Sequence, residues 1–280
     1  MGLSLTELIV RGGVIFLLDL TRISICLLFL LIASFHDIRS REVPDAVWIL
    51  FAPLGLALTL SSFILGGLDI QFIFMWILII AMTSCLSIAL FYLGLFGGAD
   101  AKALICLAAA MPLQPNLSLA KLFAGHSIQP FIPPPISTFN NAVLLAALST
   151  IPILVRNLVD YMRNKRIFEG LEHEGLLKKA ISLLTGYRVD VDKLRSGRHH
   201  YLLMEEFIER EDGSVVKRLK VFSRLPTDEN WPKEMLPAAL RGKVWVTPGL
   251  PFIVFITLGF SAAMLVGDII FLLVNIALIH

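Results

Sequence analysis

The chain has 280 residues, of which 56% are apolar and 16% charged, and its formal net charge is +2. An ordinary soluble domain carries about a quarter charged residues, so a single water-soluble globule is excluded and much of this surface faces lipid. So small a net charge, with no basic arm or aromatic-basic patch, argues against nucleic acid as a partner.

Apolar runs reach the length of about 20 residues that a helix needs to cross the hydrocarbon core. Six spans are predicted. The first ends at Phe35 and begins near Thr21, or earlier if 13–20 joins it. The next two cover 46–65 and 72–93, a shorter one follows Asp100 to about Pro112, the fifth covers 141–159, and the last runs over 249–273. The chain start lacks the small-residue cleavage site of a signal peptide, so the first span is expected to be retained. Prolines 115, 130, 133, 134 and 135 keep the stretch 114–140 from forming one regular helix.

Between the fifth and last spans lies a polar insertion. Leu177, Ile181 and Leu184 have helical spacing, with Leu176, Ala180 and Leu183 alongside, and two strand-like runs, 200–209 and 214–221, flank Asp212-Gly213, a pair suited to a tight turn. The expected fold is therefore an α-helical polytopic membrane protein of about six transmembrane helices, with a small α+β domain inserted before the last. The expected domains are a helix bundle over 1–159, a soluble domain over 160–247 and a C-terminal helix over 248–280. Eighteen of the 24 basic residues lie between Arg156 and Lys243. By the cytoplasmic excess of Lys and Arg, the insertion faces the cytoplasm and both termini face outside.

A charge inside or beside a span is costly, so each one asks for a function or a structural partner. Asp37 ends the first span and Asp100 follows the third. Two crossings separate them, which returns the chain to the same membrane face. Two close carboxyls share a proton, as peptide hydrolysis requires of an acid and a base. Gly97 and Gly98 permit close approach of backbone to a bound peptide, and the start of the following helix favours an ionised Asp100. From the residues alone the alternative stays open that both are acids snorkelling at the interface.

The segment Phe35-His36-Asp37-Ile38-Arg39-Ser40-Arg41-Glu42-Val43-Pro44-Asp45, together with Gly97-Gly98-Ala99-Asp100-Ala101-Lys102, resembles the two motifs of type IV prepilin peptidases. These are membrane aspartic peptidases whose second motif is usually Gly-x-Gly-Asp. With Ala99 before the aspartate, this chain is more similar to the archaeal preflagellin and prepilin peptidases. Residues 244–252 add weaker similarity. The resemblance implies that Asp37 and Asp100 are catalytic. It also implies substrates that are archaellin or pilin-like precursors, cut after a short basic leader at the cytoplasmic membrane face. Bacterial relatives often add N-methylation and a paired-cysteine zinc insertion. Cys26, Cys85 and Cys106 all lie in apolar runs and match no such set, so neither methylation, zinc nor any other cofactor is expected.

Other polar residues carry two readings each. Glu42 and Asp45 either attract the basic leader or are solvated interfacial acids. Lys102 either stabilises ionised Asp100 or snorkels to the interface. His36 reads as a boundary residue, His199-His200 lacks partners at ligand spacing, and Asp19 with Arg22 reads as a structural pair on one helix. On a straight helix Asp268 would stand near the outer face, far from the aspartates. Rival functions are a presenilin-like or signal-peptide-peptidase-like protease, a proton- or cation-coupled transporter, and a non-catalytic scaffold. The presenilin type places its first aspartate after tyrosine inside a span, unlike His36-Asp37.

Overall fold

A computed structural model describes residues 5–67, 69–115, 132–163, 166–195, 201–209, 215–220 and 240–279. It divides into two compact units, one of residues 1–146 with 251–280 and the other of residues 147–250. The pair His199-His200 and the expected Asp212-Gly213 turn lie outside the described residues.

The first unit is helical. Helix α1 covers Leu5–Ser40, α2 Asp45–Gly66, α3 Ile70–Tyr92, α4 Gly98–Ala110 and α5 Pro134–Leu148. Helices α9, Phe252–Leu265, and α10, Ile269–Ile279, complete it. Four stretches are long and apolar enough to cross a membrane: Gly12–Ser40, Asp45–Gly66, Ile70–Tyr92 and Pro134–Arg163. The pair α9–α10 makes a fifth if it counts as one bent span. The helices fit a multi-pass membrane protein, and the first span begins at the earlier of the two starts the sequence allowed.

Local chemistry sets the ends of these helices. The Asp69 side chain accepts the backbone N–H of Gln71 at 3.0 Å and caps α3. Gly67, with φ of 86°, turns the chain out of α2. Pro134 and Pro135 sit in the first turn of α5, where a missing N–H costs nothing.

Helix α4 has 13 residues, about 20 Å at 1.5 Å per residue, which is shorter than the hydrocarbon core. It is buried from Ala101 through Ala110 at most positions and packs with α1, α2 and α9 in one apolar cluster. In lipid, helices associate through close packing and polar ties rather than hydrophobic drive, and small residues let backbones approach. A β-carbon on Gly55 of α2 would stand 2.6 Å from that of Ala110. One on Gly259 of α9 would stand 2.8 Å from the Ala142 nitrogen of α5. Ser34 and Thr257 add a hydroxyl tie of 2.7 Å between α1 and α9.

The expected straight last span is instead bent by 56° between α9 and α10. Gly267, with φ of 92°, makes the break. The Asn141 amide closes it, donating to the Gly267 carbonyl at 2.9 Å and accepting the Ile269 N–H at 2.9 Å. Asp268 is more than a boundary residue: its carboxylate caps the Phe271 N–H at 3.0 Å and accepts from Asn140 at 2.7 Å.

The second unit holds α6, Thr150–Arg163, α7, Leu176–Thr185, and the short α8, Val191–Arg195. Strand β5, Lys243–Pro248, lies between β1, Tyr187–Asp190, and β2, Tyr201–Leu203, all antiparallel, with Val189 opposite Val244 and Leu203 opposite Val246. Strands β3, Glu205–Glu209, and β4, Val215–Leu219, form the expected two-stranded pair. Residues 244–248, part of the stretch of weaker similarity noted above, are thus the centre of a sheet, with Val244, Trp245 and Val246 buried. The helix expected from Leu177, Ile181 and Leu184 forms, but Leu177 and Leu184 are exposed. Leu183 packs on the core instead, and Asn157 holds the helix end by donating to the carbonyls of Leu183 and Gly186 at 2.8 and 2.6 Å.

Candidate active site

Asp37 stands in the last turn of α1. The Arg41 N–H still reaches the Asp37 carbonyl at 3.2 Å, but Arg41 takes φ of 60°, the left-handed conformation that stops a helix. The Ser40 hydroxyl donates to the carbonyls of His36 and Glu42, both at 3.0 Å, and folds the connection toward Pro44 and α2. Glu42 is exposed in this connection, and Asp37 is half-buried.

Asp100 is the third residue of α4 and only 8% exposed. Its Oδ2 accepts the Gly97 N–H at 2.9 Å, satisfying one of the backbone donors that a helix start leaves over. A β-carbon at Gly97 would stand 3.2 Å from that oxygen, so any side chain there crowds the carboxyl. Gly98 is different: its β-carbon would meet the Phe91 ring at an ordinary 3.7 Å. The fold leaves its exposed face open. The charge of Asp37 acts on Asp100, so helices separated by two crossings bring the two carboxyls within electrostatic range.

Lys102 is exposed and pairs with an acid other than Asp100. Its ammonium meets the Asp45 carboxylate at 2.6 Å, an exposed ion pair joining the first turns of α2 and α4. Asp37, Asp100 and Gly97 therefore gather at one end of α1 and α4, with Asp45 and Lys102 tied to each other nearby and Glu42 in the connection.

The opposite end of α4 holds residues whose part the sequence reading missed. Arg22 pairs with Asp19 at 3.2 Å as expected, but its Nε and Nη2 also both donate to the Ala110 carbonyl, at 3.0 and 2.9 Å. Thr59 donates within range of the carbonyls of Ala109 and Ala110, at 3.0 and 2.8 Å, and the Trp76 indole donates to Ala109 at 3.2 Å. The available signal was donor count: a guanidinium has five N–H groups, and one neighbouring acid cannot take them all. Cys26 and Cys106 are buried as expected, while Cys85 is exposed on α3; all three are free thiols. Among the described residues, no three His, Cys, Asp or Glu side chains gather as metal ligands do.

Residues 24–151 match the type IV leader peptidase family, and residues 178–269 match the archaeal peptidase A24 C-terminus type II. The chain is similar to the preflagellin peptidase of Methanococcus voltae, 30% identical over 253 residues that cover 88% of this chain and 94% of the relative. The preflagellin peptidase of Methanococcus maripaludis is 27% identical over 242 residues, covering 85% of this chain and 92% of the relative. That of Methanocaldococcus jannaschii is 26% identical over 247 residues, covering 85% and 91%. With the likeness extending over nearly the whole length of these relatives, the chain is a peptidase belonging to the type IV leader peptidase family, in its archaeal preflagellin-peptidase branch.

Proposed function

We propose that this chain is a membrane aspartic endopeptidase that removes the basic leader from archaellin-like or pilin-like precursors, with Asp37 and Asp100 as its catalytic pair. The observation that carries the reading is a carboxyl, Asp100, buried at the start of α4 and held by the Gly97 N–H, with Asp37 in the last turn of α1 within electrostatic range. In the proposed reaction one carboxylate takes a proton from water while the other, protonated, donates a hydrogen bond to the scissile carbonyl. Attack then forms the tetrahedral intermediate, and the proton passes to the leaving amine. The relatives' names supply the substrate class, and family membership sets aside the transport and scaffold readings.

The distribution of Lys and Arg supports a cytoplasmic site. A basic leader retained on that side presents its junction with the apolar helix at the level of the pair, so no leader charge crosses the bilayer. Asp45 and Glu42 supply negative charge beside the site, and a leader cation reaching Asp45 displaces Lys102 from it. Gly98 leaves room for the substrate backbone.

The test uses purified full-length enzyme and a pilin-like precursor with a basic leader. Asp37→Asn and Asp100→Asn each reduce turnover by about 10³-fold or more, and the double variant is no worse than either, as for groups that act as one unit. Near-normal cleavage by either single variant, folded in the same membrane preparation, overturns the assignment.

A further inference from the structure

Arg22 lies buried within an apolar span, where a guanidinium is expensive unless every donor is engaged. Nη1 donates to Asp19, and Nε and Nη2 each direct an N–H at a single acceptor, the Ala110 carbonyl, so that all three nitrogens are engaged. That carbonyl belongs to the last residue of α4, where a helix exposes unpaired C=O groups and the negative end of its dipole. Thr59 from α2 and Trp76 from α3 bring further donors to the same two carbonyls. Side chains from three helices thus seize the end of a fourth, at the end of α4 remote from Asp100.

The lengths are informative. From Arg22 to Asp37 along α1 is about 22 Å, and from Ala110 to Asp100 along α4 is about 15 Å. The tie therefore stands at the far end of both helices from Asp37 and Asp100. The side-chain tie of Asp100 itself, to Gly97, lies within its own turn.

We propose that Arg22 is a positioning residue for the aspartate pair: by holding the Ala110 carbonyl, it sets the height of α4 against α1 and so of Asp100 against Asp37. The inference rests on the catalytic reading of that pair. Lysine is a poor substitute, because a single ammonium cannot divide itself between Asp19 and Ala110 in the planar geometry of the fork. Loss of the tie removes one of the restraints on that end of α4, and a shift there changes the distance between the carboxyls and therefore how strongly their titrations couple.

The experiment measures kcat, KM and the pH dependence of kcat for full-length Arg22→Met, Arg22→Lys and Thr59→Val with a pilin-like precursor, in one membrane preparation. Arg22→Met lowers kcat by about 10²-fold, the loss that a displacement near 1 Å produces, leaves KM unchanged, and moves the limbs of the pH profile. Arg22→Lys recovers part of kcat and moves the limbs less. A purely structural role would lower the amount of active enzyme and leave the limbs in place. Folded Arg22→Met with wild-type kcat, or with reduced kcat and unmoved limbs, overturns the proposal. Where Arg22→Met does not accumulate, unmoved limbs in both Arg22→Lys and Thr59→Val overturn it equally. Turnover retained by Asp37→Asn and Asp100→Asn would instead overturn the catalytic reading. If those two are inactive while the Arg22 variants match wild type, only the tie fails.

Discussion

Each of the two units buries a carboxyl that accepts a backbone N–H, and the two differ in what stands next to it. In the second unit, Glu205 accepts the Trp245 N–H at 2.8 Å and has the Lys217 ammonium at 3.7 Å. In the helical unit, Asp100 accepts the Gly97 N–H at 2.9 Å, and the neighbour acting on it is a second acid, Asp37. Asp19 beside Arg22 and Glu174 beside Lys178 follow the pattern of Glu205. A buried carboxyl with a cation at hand has a neighbour that favours its ionised form. One set beside another carboxyl keeps a proton available and remains ready to exchange it. The sign of the neighbour distinguishes these acids from Asp100, the residue proposed to react.

Neutralising the two acids gives the widest separation. Asp100→Asn ends turnover, whereas Glu205→Gln keeps the acceptor for Trp245 and leaves kcat at the wild-type value. Equal losses in the two variants would erase the distinction.

A smaller effect comes from crowding the carboxyl without removing it. Gly97→Ala places a methyl against Oδ2 and lowers kcat about ten-fold, by a displacement of a few tenths of an ångström. Wild-type turnover in this variant would mean that Asp100 has slack. Smaller again is the effect of the exposed pair at the rim. Asp45→Asn raises KM for a basic-leader precursor about five-fold, the scale of an exposed ion pair worth up to about 1 kcal/mol. Lys102→Met lowers KM, because it removes the cation that competes with the leader. Movement of both KM values in the same direction would separate Asp45 from leader binding.

The smallest effect concerns Glu205 and pH. Burial raises its carboxyl above the ordinary range, outweighing the Trp245 N–H and the Lys217 and Arg188 charges, which act the other way. Its contribution to stability is therefore fully present below the ordinary glutamate value of about 4.3 and is lost as pH rises through the folded value. Glu205→Gln has no such loss, so its melting temperature gains on wild type as pH rises from about 4 toward 7. A difference that is flat or reversed over this range would show that Lys217, rather than burial, governs the site.

Periodicity and charge made most of the fold legible. Long apolar runs announced α1, α2 and α3, and parity alone assigned Asp37 and Asp100 to one face. The strand pair β3–β4 followed from alternation and a turn signal. What the sequence hid were side-chain-to-backbone ties between distant segments. Arg22 to Ala110, Asn141 to Gly267 and Lys102 to Asp45 each join residues that no local spacing relates. The bend at Gly267 was missed for the same reason: an apolar run reads as straight until the partner that closes the break is known. Leu177 on α7 misled because its spacing suits a core, while the buried face is set by Leu183 and by the hold of Asn157 on the helix end.

The hold of Asn141 across that bend bears on the order of membrane assembly. Helices α9 and α10, of 14 and 11 residues, are each too short to cross a bilayer alone. Bent apart, they expose the Gly267 carbonyl and the Ile269 N–H, which in lipid find no solvent to satisfy them. Among the described residues, α5 offers both a donor and an acceptor at that point. Helices α9 and α10 follow α5 in the chain, so α5 is already in the membrane when they arrive and acts as the template on which they take their bent form. Until then the segment is better off as one continuous helix, a straight rod that yields to a single amide.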